Sequence, residues 1–250
     1  MSNPSNVALR LLPLGALLFV AACNGNPIGG TATSAPGATS TIASGSTAIS
    51  APDSTSTSVA GLINSETRTF SDVSAVSLET SGDLSISVTG VESLTIEAEA
   101  NILPLLTSDV SSNRLTLSTK SNSNVQTSQP IRYTLTVKDL KEVVTDGSGK
   151  ITINALAANN LGVAINGSGS VTLNGKADAL AITVSGSGDF DGGKLASKTA
   201  MVNDSGSGNV QIQVSDMLNA TLSGSGSVRY IGNPTVNSTL NGSGSVGKQQ

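Results

Sequence analysis

The side chains able to do chemistry are few, and where they fall decides which chemistry is open. The chain has no His and a single Cys, Cys23. His-based nucleophilic triads, His-ligated metals and intrachain disulfides are thereby excluded. Cys23 closes the run Leu18-Phe19-Val20-Ala21-Ala22-Cys23. Two small residues there let the backbone enter a peptidase, and the thiol behind them can receive a diacylglyceryl group. Cleavage elsewhere would leave it a free thiol. Asp189 and Asp191 sit two apart in Gly186-Ser187-Gly188-Asp189-Phe190-Asp191-Gly192, so on a strand both would project from one face. A calcium array would need such acids in every repeat, to supply about six to eight oxygens per ion. The equivalent positions hold Lys150, Ser170, Asn209 and Ser227, so two solvated carboxylates and no metal are expected. The same glycines could suggest a phosphate loop, but such a loop requires a helix N-terminus behind it. Alternating apolar residues follow every copy here. Arg229 and Tyr230 are adjacent and suit a cap or surface contact. Acid pairs and aromatic sugar platforms, which polysaccharide cleavage needs, are sparse. No catalytic residue and no cofactor are expected, with a carbohydrate-active β-helix enzyme as the alternative reading.

The segment carrying Cys23 also sets an address. Residues 1–10 are polar with one positive charge, and Leu11 to Ala22 is apolar apart from Pro13 and Gly15. A spanning helix needs about 20 apolar residues, so 1–22 reads as a signal peptide. Its end resembles the lipobox of bacterial lipoproteins, which makes Cys23 the lipidation site and a membrane the first partner. Asn24, rather than Asp, follows it, and under the enteric sorting rule this points to the outer membrane. Residues 23–60 are dominated by Ser, Thr, Ala, Gly and Pro and cannot repay an ordering entropy of roughly 1–2 kcal/mol per residue. They read as a disordered tether, reaching roughly 30–35 Å as a coil and about 120 Å at full stretch.

From 61 to 250 the pattern is alternation, as in Leu84-Ile86-Val88, Leu94-Ile96-Ala98 and Tyr133-Leu135-Val137, which means strands. Only the stretch around Asn101 to Pro104 suits a helical turn. The alternation then becomes a repeat. Gly-Ser-Gly recurs as Gly147/Gly149, Gly167/Gly169, Gly186/Gly188, Gly206/Gly208, Gly224/Gly226 and Gly242/Gly244, at separations of 20, 19, 20, 18 and 18 residues. Ile165, Val184, Leu222 and Leu240 lie two residues before the first Gly, and Ile151, Val171, Phe190, Val210 and Val228 two after the second. A period of 18–20 residues without helices predicts an all-β solenoid, each rung stacked by parallel pairing at about 4.8 Å. The glycines are expected at a sharp corner, where φ > 0 is favoured and successive turns leave little room for a Cβ. The serines and amides beside them are expected to bond along the stack. Asp204 takes the slot of Ile165 and Val184, so it marks a bulge, a buried hydrogen-bonded site or a register shift.

Composition agrees with thin rungs. Aromatics are 2% of the chain, with no Trp, so Val, Ile, Leu and Ala must fill the core. Thirteen Lys and Arg against seventeen Asp and Glu give a net charge of −4, which disfavours nucleic acid as a partner.

From Thr67 to Val246 the sequence resembles a bacterial envelope family, the putative auto-transporter adhesin, head GIN domain. The shared features are Arg68-Thr69-Phe70, Asn113-Arg114-Leu115, Pro130-Ile131-Arg132-Tyr133, the serial Gly-Ser-Gly units and the closing Tyr230-Ile231-Gly232-Asn233-Pro234. The resemblance implies a right-handed, pectin-lyase-like β-helix without catalytic residues, and an adhesive role toward a cell-surface glycan or protein. The expectation is therefore a non-enzymatic envelope lipoprotein with a binding or structural head.

Overall fold

The computed structural model describes residues 61–249; the signal segment, Cys23 and the tether lie outside the described residues. Short alternating segments open the fold: β1 (Ile63–Arg68), β2 (Ala75–Leu78), β3 (Asp83–Val88) and β4 (Ser93–Glu99). A 3-10 turn at Leu103–Leu105 follows, with Pro104 in its first turn, where a missing N–H costs nothing. Then come β5 (Leu106–Ser111), β6 (Arg114–Thr119), β7 (Arg132–Val137) and β8 (Glu142–Thr145). The repeat region supplies β9 (Lys150–Ile165), β10 (Ser170–Val184), β11 (Phe190–Asp204), β12 (Asn209–Leu222), β13 (Ser227–Ile231), β14 (Thr235–Leu240) and β15 (Ser245–Lys248).

These strands form a parallel β-solenoid of about five turns. Each long strand belongs to two sides of the coil. In β9, residues from Lys150 stack on β3, while Gly162 to Ile165 stack on β8. Between the two halves the pairing register skips, as at Leu173/Gly175, and Gly175 turns there at φ +134° over the Leu156 carbonyl. Two inward columns fill the coil. Before the corner stand Leu78, Thr145, Ile165, Val184, Asp204, Leu222 and Leu240. After it stand Tyr133, Leu84, Ile151, Val171, Phe190, Val210, Val228 and Val246. Burying one such aliphatic side chain stabilises by about 1.5–3 kcal/mol, and no rung could do so without its neighbours.

All twelve repeat glycines sit at the corner between these columns. None of them has a positive φ, so the expected left-handed turn is not what selects them. Close approach is. A Cβ on Gly167, Gly186, Gly206, Gly224 or Gly242 would run into the first-glycine carbonyl of the preceding rung, and one on Gly169, Gly188, Gly208, Gly226 or Gly244 into the second. Those same carbonyls take the ladder around the bend. The N–H groups of Ser168, Ser187, Ser207 and Ser225 donate to Gly147, Gly167, Gly186 and Gly206 at 3.1, 3.1, 3.0 and 2.9 Å. Backbone thus carries most of the stacking, joined by the Ser205 hydroxyl, which donates to the Val184 carbonyl of the preceding rung at 3.4 Å. Beside it, Asn166 Nδ2 donates to Asp146 Oδ1 at 2.6 Å.

The stack begins out of chain order. β2 lies between β6 and β8, and β3 between β7 and β9, all parallel. The rung formed by β2 and β3 is therefore covered by a later one, β6 and β7. Beyond that rung the pairing turns antiparallel: β4 on β7, β5 on β6, and β1 on β4. Two carboxylates tie this end together. Glu92, its side chain 4% exposed, accepts from the Asp72 and Val73 N–H groups at 3.1 and 2.9 Å and pairs with Lys138 Nζ at 2.8 Å. Glu99 Oε1 accepts from Ser128 N–H and Oγ at 2.7 Å each, from Gln129 N–H at 2.9 Å and from Thr127 Oγ1 at 3.1 Å. The Ser128 hydroxyl leads in holding the Glu99 carboxyl below the usual range, and burial opposes it.

Gly224→Val should cost about 3 kcal/mol or more, because neither backbone can yield, while Ser225→Val at the exposed tip should stay within about 0.5 kcal/mol; denaturant melts of the two variants compare them. Because the folded pKa of Glu99 is depressed, its contribution is present above the ordinary carboxylate value and lost as pH falls through the folded one. Acidification should therefore release the Ser128 and Gln129 amides to hydrogen exchange before those of β10 and β11, and Glu99→Ala should release them at neutral pH.

Candidate functional site

Alternation places every second residue of the rungs outside, and the two sides meeting at the corner carry different chemistry. On the side that follows the corner, Thr134, Ser85, Thr152, Thr172, Asp191, Gln211 and Arg229 form one outward column across seven neighbouring strands. Beside it run Arg132, Asp83 and Lys150, with alternating charge, and then Asn209, Ser227 and Ser245. Outward groups are linked from rung to rung. Asn209 takes Asp189 Oδ1 through its N–H at 2.8 Å and Nδ2 at 3.1 Å, and Ser227 Oγ donates to Asn209 Oδ1 at 2.7 Å. Asn174 Nδ2 likewise reaches Asn154 Oδ1 at 3.0 Å. The face is a broad, fixed lattice of hydroxyls, amides and a few charges.

The side that precedes the corner is plainer. One outward column reads Glu142, Gly162, Ala181, Met201, Asn219 and Asn237, and the next Val144, Ala164, Thr183, Asn203, Thr221 and Thr239. Its largest side chain, Met201, is 51% exposed. Toward the first rungs its groups are small and apolar, Gly162, Ala164 and Ala181, whereas the later rungs bring Asn203, Asn219, Thr221, Asn237 and Thr239, with Asn237 Nδ2 donating to Asn219 Oδ1 at 3.0 Å.

Asp189 and Asp191 lie on the polar face, and each carboxylate is engaged locally. Asp189 holds Asn209, while Asp191 Oδ1 accepts from the Gly193 N–H at 3.0 Å. Among the described residues no group of three His, Cys, Asp or Glu is placed to hold a metal ion. Arg229 stands outward at the end of the Thr152 column, and Tyr230 is half buried against the core. Cys23 lies outside the described residues.

Asp204 resolves as an inward residue in direct register between Val184 and Leu222, with neither bulge nor register shift. It is 2% exposed. Oδ1 accepts from the Gly206 N–H at 2.8 Å, and Oδ2 has no partner, lying where a Cβ on Gly226 would be. Burial pushes its carboxyl above the ordinary value, against the pull of that N–H. The hydroxyls of Thr145 and Tyr133 are also buried without partners. Burial drives the Tyr133 phenol up to about 12, with the Arg68 charge opposing. The three groups stand in different rungs and assemble no reaction centre.

Pattern reading missed a seventh corner. Thr80-Ser81-Gly82 stacks beneath Gly147-Ser148-Gly149: a Cβ on Gly147 would meet the Thr80 carbonyl at 2.7 Å, and one on Gly149 the Gly82 carbonyl at 2.7 Å. Its signal was present in the flanks, Leu78 two before and Leu84 two after. Threonine fits because the rung beneath joins β6 to β7 through the segment 120–131 rather than through a tight corner. Glu92 and Glu99 were also missed, since nothing local distinguishes them from surface acids.

Asp204 generates a prediction. With its folded pKa raised, stability falls as pH climbs from the ordinary carboxylate value through the raised one. Asp204→Val should restore the aliphatic column, and the Gly206 N–H can do as those of Gly186 and Gly224 do behind Val184 and Leu222. A gain of about 1–3 kcal/mol at neutral pH is expected, shrinking toward acid; thermal melts across pH measure it.

The family described as putative auto-transporter adhesin, head GIN domain matches residues 70–234. No curated protein matches the sequence. Among solved structures, a putative adhesin from Bacteroides fragilis is similar, with 22% identity and a TM-score of 0.64, over 76% of this chain and 99% of that one. A putative lipid binding protein from Parabacteroides distasonis has 21% identity and a TM-score of 0.49, over 75% and 97%. At such identity the likeness to the B. fragilis structure concerns the fold alone. The match spans β2 to β13 and carries the assignment: the chain belongs to the putative auto-transporter adhesin, head GIN domain family.

Proposed function

We propose that the chain is a non-enzymatic, lipid-anchored envelope protein that binds a cell-surface glycan or protein across the polar face of its solenoid. One observation carries the reading. The outward groups of that face form continuous columns from Thr134 to Arg229, and side chains of neighbouring rungs hold one another in place, Asn174 on Asn154, Asn209 on Asp189 and Ser227 on Asn209. A ligand lying along such columns gains many weak, equivalent contacts whose groups are already ordered, which lowers the entropic cost of binding. Family membership supports an adhesin-like, envelope role. The run ending in Cys23, with the tether behind it, supports attachment by lipid at the outer membrane, with reach enough for the head to stand clear of it.

The test combines three measurements on cells. Protease added outside should remove the head, and deletion of the gene should lower attachment several-fold. Restoration should fail with Thr172→Lys but succeed with Asn203→Lys on the opposite side. Cys23→Ala should abolish incorporation of labelled fatty acid and release the chain from membranes. A head protected from external protease, with attachment unchanged on deletion, would sink the adhesive reading.

A further inference from the structure

The two ends of the stack are finished differently. At the first end β1 lies antiparallel on β4, and its edge carries the Glu66–Arg68 ion pair, a common defence against further strand pairing. At the other end β14 pairs only with β12, and β15 only with β13. Leu240 there is 49% exposed, whereas Leu222, Val184 and Ile165 in the same column are fully buried. Between Thr235 and Gln249 the one charged side chain is Lys248, whose Nζ is held by Asn233 Oδ1 at 2.6 Å. This end presents the same kind of surface that each inner rung presents to the next, but nothing among the described residues is stacked on it.

We infer that this terminal rung is a docking surface for a second copy of the chain, joined end to end about a two-fold axis that bisects the corner at Ser243. Head-to-tail stacking is unsuitable, since the first end is antiparallel and charged. A two-fold contact needs a patch complementary to itself, and the corner is nearly palindromic: Leu240-Asn241-Gly242-Ser243-Gly244-Ser245-Val246. The axis lays β14 antiparallel on β15 of the second copy, with Leu240 opposite Val246, Asn241 opposite Ser245 and Gly242 opposite Gly244. Backbone direction agrees. The Leu222 and Tyr230 carbonyls point toward the terminal rung, where they accept from Asn241 and Gln249. Their register equivalents, Leu240 and Lys248, point theirs outward, so the outward-directed positions are the even-numbered ones on both strands. The axis pairs Leu240 with Val246 and Ser238 with Lys248, even with even, as an antiparallel ladder requires. The contact prolongs the backbone ladder of the stack, with antiparallel pairing in place of the parallel pairing between inner rungs.

The test uses the full chain carrying Cys23→Ala, so that any added thiol is the only one. Ser243→Cys, on the axis, should form a disulfide-linked dimer under mild oxidation, because strand partners at about 4.5–5.5 Å lie within disulfide reach. Ser168→Cys, equally exposed at an inner corner, should give at least tenfold less. Adding Leu240→Glu to Ser243→Cys should cut the cross-link at least tenfold, with the melting temperature unchanged. Sedimentation at tens of micromolar should show a dimer without Leu240→Glu and a monomer with it. Equal cross-linking at the two corners, a monomer throughout, or a cross-link unmoved by Leu240→Glu would each overturn the inference. Should Leu240→Glu lower the melting temperature, Val246→Glu takes its place.

Discussion

At every turn of this coil a glycine carbonyl occupies the space that a Cβ of the next rung would need. The rest of the solenoid depends on that contact. It lets backbone follow backbone around a sharp bend without a break in hydrogen bonding, since the same carbonyls accept from the central serines. Because the corner stays in register, Val184, Asp204 and Leu222 arrive above one another, and so do Phe190, Val210 and Val228. The serine between the glycines is exposed and bears little of the load. Small size at two positions, rather than unusual backbone angles, is the requirement.

A strict register also fixes what faces outward. Alternation leaves the core no choice of residues and frees the outer positions, so one side of the coil is polar from end to end while the other keeps alanine and glycine over its earlier rungs and turns to asparagine and threonine in the later ones. The rigidity of the polar side comes from its own side-chain bonds as well as from the ladder beneath. Asp204 shows how firmly the corner imposes register: even a carboxylate is carried inward with one oxygen unpaired rather than displacing the chain.

Much of this was legible in the residues. The spacing of Gly-Ser-Gly with its apolar flanks gave rung length, corner position and inward columns, because each depends on contacts between equivalent positions of a repeat. Two kinds of feature escaped. One was conformation: the glycines suggested left-handed turns, yet close approach and positive φ select the same residue and a sequence does not separate them. The other was non-local order. That β2 and β3 lie inside a rung built later in the chain, and that β1, β4 and β5 run antiparallel, depends on pairings between segments without a shared motif. Glu99 belongs here too, since its partners lie 28 to 30 residues away in a segment with no periodicity. The polar face fell between these cases. Its residues were visible one by one, but their alignment required the register.

Because each rung touches only its neighbours, the length of this protein is a counted quantity. Duplicating or deleting one unit of 18–20 residues would move the far end by about 4.8 Å and leave the first end, the corner geometry and the character of both sides as they were. Unequal exchange between similar units of a gene makes changes of just that size. A coil of this kind can therefore be lengthened or shortened across generations in whole steps, its reach and the number of contacts it offers changing together while its foldability does not.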